Sequence, residues 1–186
     1  MIDRVLRHGF LAFFLLIGGG LTAQLYVGEQ QRVAFTSDAP LELIEAASGE
    51  LRAAVRADDR NFAFRVRIVT FEGFNGRLQQ QHFNENYLES HRFPEATFQG
   101  RIIEREDLTV PGIYEVRAKG KLIIHGIAQE RIIRARVEST GGELRIVCLF
   151  AVPLADHNID VPRIVHQKIA SEIMVRVEAV LERRED

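Results

Sequence analysis

Residues 113–124 read IYEVRAKGKLII. Tyr114, Val116, Ala118, Gly120, Leu122 and Ile124 fall on one side of an extended chain, and Glu115, Arg117, Lys119 and Lys121 on the other. A period of two marks a strand with one buried and one wet face. The same period recurs in both directions. Upstream, Phe62, Phe64, Val66 and Ile68 alternate with Ala63, Arg65, Arg67 and Val69 in a strand expected over 61–71. Phe98 and Ile102 alternate with Gln99 and Arg101 over 96–104. Downstream, Ile133, Ala135 and Val137 share a face over 131–138, as do Leu144, Ile146, Cys148, Phe150 and Val152 over 143–153. The last run, 172–182, sets Ile173, Val175, Val177, Ala179 and Leu181 against Glu172, Arg176, Glu178 and Glu182. Residues 32–37 and 41–57 read as two further strands, the second with a bend at Gly49.

Turn chemistry separates these runs at Asp58-Asp59-Arg60-Asn61, Pro111-Gly112 and Gly141-Gly142. About eight amphipathic antiparallel strands with little helix to cover them must bury their apolar faces on one another. The prediction is all-β: an eight-stranded antiparallel lipocalin-like barrel with short helical inserts. A sandwich with a packed core uses the same pattern. Eight strands enclose a space that side chains fill or one small ligand occupies. Two stretches break the period. Residues 76–90 read as a loop ending in a short helix, and 156–170 as an insert with a helix start near Pro162. Inserts of this kind lie across barrel ends and serve as lids or plugs.

The N-terminus is of another kind. Arg4, Arg7 and His8 precede an apolar run from Gly9 to Leu21, and Leu21-Thr22-Ala23 offers a cleavage site. This is the secretory signal order, and the run is short of the ~20 residues of a bilayer span. Residues 1–23 are therefore expected to be a signal peptide and 24–186 one domain; a retained anchor is the alternative. The single cysteine, Cys148, allows no intrachain disulfide. A formal charge of −2 gives no basic footprint for nucleic acid.

Three stretches resemble the YceI family: His82 to Ser90 continuing through Phe93-Pro94-Glu95-Ala96-Thr97-Phe98-Gln99-Gly100, then Gly120 to Ile127, then Phe150 with Ala155 to Ile159 and Pro162. The likeness runs over residues 31–181. It implies a lipocalin-like barrel exported to the periplasm that holds an isoprenoid or fatty-acyl lipid inside, with no single catalytic activity. Ligand identity does not carry over.

A carrier of this kind needs a dry apolar lining with few polar groups at its mouth. The candidate ligand-binding residues are Phe62, Phe64, Phe83, Tyr87, Phe98, Leu122, Ile124, Ile146, Cys148 and Phe150. An ordinary packed core would use the same side chains. Mid-strand on the apolar face, Cys148 reads as an inert hydrophobe. His82, His91, His125, His157 and His166 fall at strand ends or in inserts without metal-helix spacing. His82 and Asn86 are expected to tie the insert to the barrel by hydrogen bonds, and His125 to act similarly. There is no G-x-S-x-G elbow and no glycine-rich phosphate loop, so no catalytic residue, cofactor or metal is predicted. The expected function is a periplasmic carrier of an apolar chain. The alternative is a non-catalytic, stress-related or protein-interaction barrel with a filled core. A homodimer is compatible with either.

Overall fold

The computed structural model describes residues 24–184. The expected signal peptide, and the last two residues of the expected domain, lie outside the described residues. Eight strands follow in order: β1 (Leu25–Ala39), β2 (Glu42–Arg56), β3 (Asn61–Arg67), β4 (Glu95–Ile102), β5 (Gly112–Ile124), β6 (Ile127–Ser139), β7 (Glu143–Pro153) and β8 (Glu172–Arg183). Each pairs antiparallel with its neighbours in sequence, and β8 returns to β1, with Val33 opposite Val177 and Phe35 opposite Val175. The sheet is therefore a closed barrel rather than a sandwich, and closure removes every sheet edge. No helix among the described residues is long and apolar enough to cross a membrane.

The facing pattern is the one the alternation predicts, but several boundaries differ. β1 is much longer than residues 32–37, because a bulge absorbs the polar Glu29-Gln30-Gln31 that interrupts the period. Pairing with β2 steps from Gly28–Ala53 to Gln31–Leu51 and then to Val33–Ser48. The extra residue, Gln30, takes a left-handed φ of 61°. Gln31 Oε1 then accepts a 2.6 Å bond from the Val180 N–H, restoring a contact the bulge removes from the ladder. Gly49 lies in the β2 half of this irregularity, where a bend was expected.

β3 stops at Arg67 instead of reaching Phe71. Residues Ile68–Thr70 form a 3₁₀ turn, closed by Thr70 Oγ1 donating to Arg67 O at 2.7 Å. Apolar alternation continues through this turn because Ile68 and Phe71 are both buried, so the period misplaces the strand end. β6 starts four residues before the expected 131. His125 (φ 51°) and Gly126 (φ 72°) make a two-residue hairpin between β5 and β6 with both central residues left-handed. The first insert holds its helix at the start, α1 (Arg77–His82), followed by one π-type turn, Phe83–Tyr87. The second forms only short 3₁₀ turns, Leu154–His157 leading in from β7 and Arg163–Val165 after Pro162.

The barrel has a closed end and an open end. At the closed end the β4–β5 loop folds inward and Leu108 is buried beside Tyr26, Leu144 and Leu181. Ser139 Oγ donates to Leu108 O at 2.7 Å, and Tyr26 Oη to Gly141 O at 2.7 Å. The burial that withdraws Tyr26 from water raises its phenol pKa, so the group stays a neutral donor. The open end carries both inserts. Toward the closed end, on the β4–β5 wall, Gly100 pairs with Gly120. A Cβ on Gly100 would stand 2.1 Å from Lys119 O, and one on Gly120 2.2 Å from Gln99 O. Only glycine lets the two strands curl this closely.

Gly100→Ala is accordingly expected to destabilise the barrel by about 1–3 kcal/mol or more, the range for forced overpacking. Gly49→Ala, where nothing lies within 4 Å of the added Cβ, should be neutral or slightly stabilising. Urea unfolding of the two variants side by side checks the contrast; equal effects would remove the close approach as the reason for the glycine pair.

Candidate functional site

Inside the barrel the side chains do not fill the space. Leu144 and Leu181 at the closed end have no exposed surface. Phe64, Phe98, Cys148, Phe150 and Val175 occupy the same inward face further up, yet remain only partly covered. An inward-pointing side chain that keeps exposed surface faces empty volume.

That volume has three parts in line. A deep chamber of about 80 Å³ lies among Phe62, Ile146, Cys148 and Val137. An upper chamber of about 130 Å³ lies among Leu122, Ile124, Val66 and Ile173. Phe64, Phe98, Phe150 and Val177 line both and form a waist between them. Above is a vestibule of about 440 Å³ between α1 and the β7–β8 insert, lined by Tyr87, Ile44, Val165 and Ile169 with Gln79, His82 and Lys168. Phe35, Phe83, Leu88, Leu154, Ile159 and Ile173 border both the vestibule and the upper chamber. A dry cavity near 150 Å³ accepts a benzene ring, so each inner chamber is on the scale of one five-carbon unit or somewhat less.

All ten sequence-derived candidates stand on these walls: Phe62, Ile146 and Cys148 in the deep chamber; Phe64, Phe98 and Phe150 at the waist; Leu122 and Ile124 above; Phe83 at the neck; Tyr87 in the vestibule. Burial pushes the Cys148 thiol up to about 11, so it is a neutral wall element rather than a nucleophile. Sequence reasoning missed Phe35, Phe71 and Phe74. Their rings surround Phe83, which stacks on Phe35 at 5.5 Å and lies 5.8 Å from Phe71 and 5.0 Å from Phe74. Phe83 opens the π-type turn, where the Leu88 N–H reaches back to Phe83 O at 2.9 Å. Turns of this type mark places where a helix is adjusted to position a side chain. Here it aims one ring into the neck.

Of the polar groups expected to hold the inserts, His125 does so and His82 and Asn86 do not. His82 and Asn86 are exposed and do not anchor the loop to the barrel. The anchor is Glu89, whose Oε2 meets His125 Nε2 at 2.8 Å. His125 Nδ1 faces the His157 carbonyl at 3.1 Å. Both partners are oxygens that accept, so a ring nitrogen carrying a proton donates to whichever of them it faces. His157 Nδ1 in turn donates to Ile127 O at 3.1 Å. The chain Glu89–His125–His157 thus joins the first insert, the β5–β6 hairpin and the second insert on one side of the mouth. The hydrogen bond from His125, helped by Arg92, holds the Glu89 carboxyl below its usual range. His157 is fully buried, and its Nε2 has no hydrogen-bond partner. Desolvation lowers its pKa, so it is neutral. The missed signal was the left-handed hairpin at His125-Gly126, which fixes where the His125 ring points. Among the described residues, no three His, Cys, Asp or Glu side chains are grouped to hold a metal ion.

Comparison with known proteins gives a consistent pattern. A family model described as YceI-like domain matches residues 28–181. Among solved structures, a polyisoprenoid binding domain from Saccharophagus degradans, implicated in plant cell wall breakdown, superposes with a TM-score of 0.74 at 10% identity, over 88% of this chain and 100% of that one. BcnA of Burkholderia cenocepacia gives 0.67 at 16% identity, over 81% and 95%. A YCEI protein of Campylobacter jejuni gives 0.53 at 12%, over 91% of each. At these identities the structural likeness speaks to the fold. No curated protein matches the chain.

The burial of His157 sets a pH dependence. Its folded pKa lies below the unfolded value of about 6.5, so the unfolded chain binds the extra proton first. Stability should decline as pH falls through about 6.5 and stop declining below the folded pKa. Glu89 adds a second loss at more acid pH, as its folded carboxylate takes up a proton. Urea midpoints measured between neutral and mildly acid pH should show the first loss in the native chain and a flatter profile in His157→Asn. An unaltered profile would exclude His157 as its source.

Proposed function

This chain belongs to the YceI-like domain family, and from that premise we propose that it is an exported binding protein for an apolar chain-like lipid, isoprenoid or fatty-acyl, held lengthwise in the barrel. The observation that carries the reading is the line of chambers from vestibule to closed end, with inner walls made by apolar side chains. A barrel acting only through its surface has no need of an unfilled interior. The polyisoprenoid binding reported for the Saccharophagus degradans domain, which shares this fold, supports the same class of ligand.

The physical chemistry supports such a guest. Burying a CH₂ is favourable by about 0.8 kcal/mol, so two five-carbon units in the inner chambers contribute roughly 8 kcal/mol gross. That corresponds to about micromolar affinity before the cost of association is subtracted. Carbons lodged in the vestibule and against the Phe83 ring add to it. A polar head group stays in the vestibule, where Lys168, Gln79 and His82 provide wet partners. The closed end, packed by Tyr26, Leu108, Leu144 and Leu181, stops the chain. Binding and release need no covalent step, and the proposal assigns no catalytic residue and no cofactor. The basic start and apolar run of residues 1–23 support export, and a periplasmic location is part of the proposal.

Mass spectrometry of organic extracts from protein purified from its host should show a bound lipid with a long hydrocarbon chain. Cys148→Trp would fill the deep chamber. It should shift the bound population to shorter chains or abolish binding, with a cooperative unfolding transition retained. Extracts free of lipid, together with failure of the purified protein to take up a long-chain isoprenoid or fatty acid, would refute the carrier reading. Binding unchanged in Cys148→Trp would exclude only the deep chamber.

A further inference from the structure

The outer surface carries a second concavity, unrelated to the barrel interior in chemistry. Near the closed end, the β2–β3 hairpin, the β4–β5 loop and the outer faces of β4 and β5 enclose a groove of about 710 Å³. Its cationic side chains are Arg56, Arg60, Arg101, Arg105, Lys119 and Lys121, and the one carboxylate on its lining is Glu130. Six positive groups against one negative is a local excess on a chain whose formal net charge is −2.

Among the described residues most of the groove cations have no carboxylate partner, as is also true of Arg32, Arg52, Arg77 and Arg134 elsewhere; what sets the groove apart is that its cations share one concavity. On other parts of the surface Arg67 pairs with Glu50, Arg117 with Glu104, Arg136 with Glu115 and Arg176 with Glu178. In the groove, only Arg56 has a carboxylate partner among the described residues, Asp59 at 2.9 Å. Arg60 instead donates to the backbone carbonyl of Glu104 at 2.9 Å, and Arg101 to that of Asp59 at 2.8 Å. A carbonyl orients a guanidinium without cancelling its charge, and other N–H donors of each fork remain available. Arg105, Lys119 and Lys121 form no ion pair among the described residues. The floor runs over the Gly100–Gly120 pair, where the β4 and β5 backbones approach closely. A concave surface with a strong excess of one sign focuses its field on the groove, and fixed guanidinium forks match phosphate oxygens two at a time.

We propose that this groove is a binding site for clustered phosphate groups, such as an oligophosphate or the phosphate head groups of lipids. The site rests on the outer wall; Phe62 and Ile102 separate it from the deep chamber, and its cations take no part in lining the barrel interior. One or two phosphates of the ligand would take the Arg60 and Arg101 forks. Lys119, Lys121 and Arg105 would supply further positive charge around the rim.

The test is titration of the full chain, in nonionic detergent, with sodium tripolyphosphate at low and at high salt. A parallel arm measures cosedimentation with phosphatidylcholine vesicles with and without phosphatidic acid. Saturable tripolyphosphate binding that weakens with salt is expected. K119E/K121E should weaken it by about tenfold. R145E/R176E, an equal charge change on the β7–β8 wall, should leave it within about twofold. If the phosphatidic-acid vesicles alone show binding lost in K119E/K121E and kept in R145E/R176E, the phosphates recognised are those of head groups. Binding in neither arm, or equal losses in the two double variants, would overturn the site. Matching far-UV circular dichroism and unchanged lipid content of K119E/K121E keep a folding defect or a failed carrier reading from being mistaken for either result.

Discussion

The pairing of β8 with β1 is the contact on which the rest of the molecule depends. An antiparallel sheet with one apolar face has to cover that face, and the described residues offer neither a second sheet nor enough helix to do so. Joining the ends of the sheet buries the face against itself and satisfies the last row of backbone donors and acceptors together. The register of the closing pair, Val33 with Val177 and Phe35 with Val175, puts the wall of β1 opposite the waist and neck. The bulge at Gln30, with Gln31 bonded to the Val180 N–H, lets a polar break in β1 pass without losing that register.

Closure also explains why one end is solid and the other hollow. At the closed end, Leu108 and Tyr26 come in from a loop and a strand start to complete the layer formed by Leu144 and Leu181, so the leucines lose all exposure. Higher up, the inward positions are Phe64, Phe98 and Phe150 interleaved with Ala118, Ala135 and Cys148. Large rings beside small side chains on a cylinder leave gaps between layers, and no loop enters to fill them. The inserts that could have done so are held across the mouth instead. The Glu89–His125–His157 chain secures them on one side, and the aromatic group around Phe83 narrows the neck beneath them.

Much of the site was legible because facing is a local property of a strand. Once 113–124 is read with Tyr114 and Leu122 inward, the parity of Phe98, Cys148 and Phe150 follows from their own alternation, and each stands on a cavity wall. Strand ends were less legible: Ile68 and Phe71 keep an apolar rhythm through a 3₁₀ turn, and period alone does not register the change of backbone. The mouth was least legible. Phe35, Phe74, Leu154 and Ile159 meet there because a hairpin and two inserts converge from positions far apart in the chain. His82 and Asn86 looked like anchors by their polarity, but the bonding falls to Glu89, whose partner is 36 residues away on a hairpin.

Sequence alone determined the class of fold, the side of each strand that faces inward, and the apolar character of the interior, since these follow from alternation and from the cost of leaving amphipathic strands uncovered. Tertiary structure alone decided that the interior is hollow above a sealed base, where its neck lies, and which surface cations share a groove. Those features depend on volumes and distances between residues remote in sequence, and the order of side chains along the chain carries no measure of either.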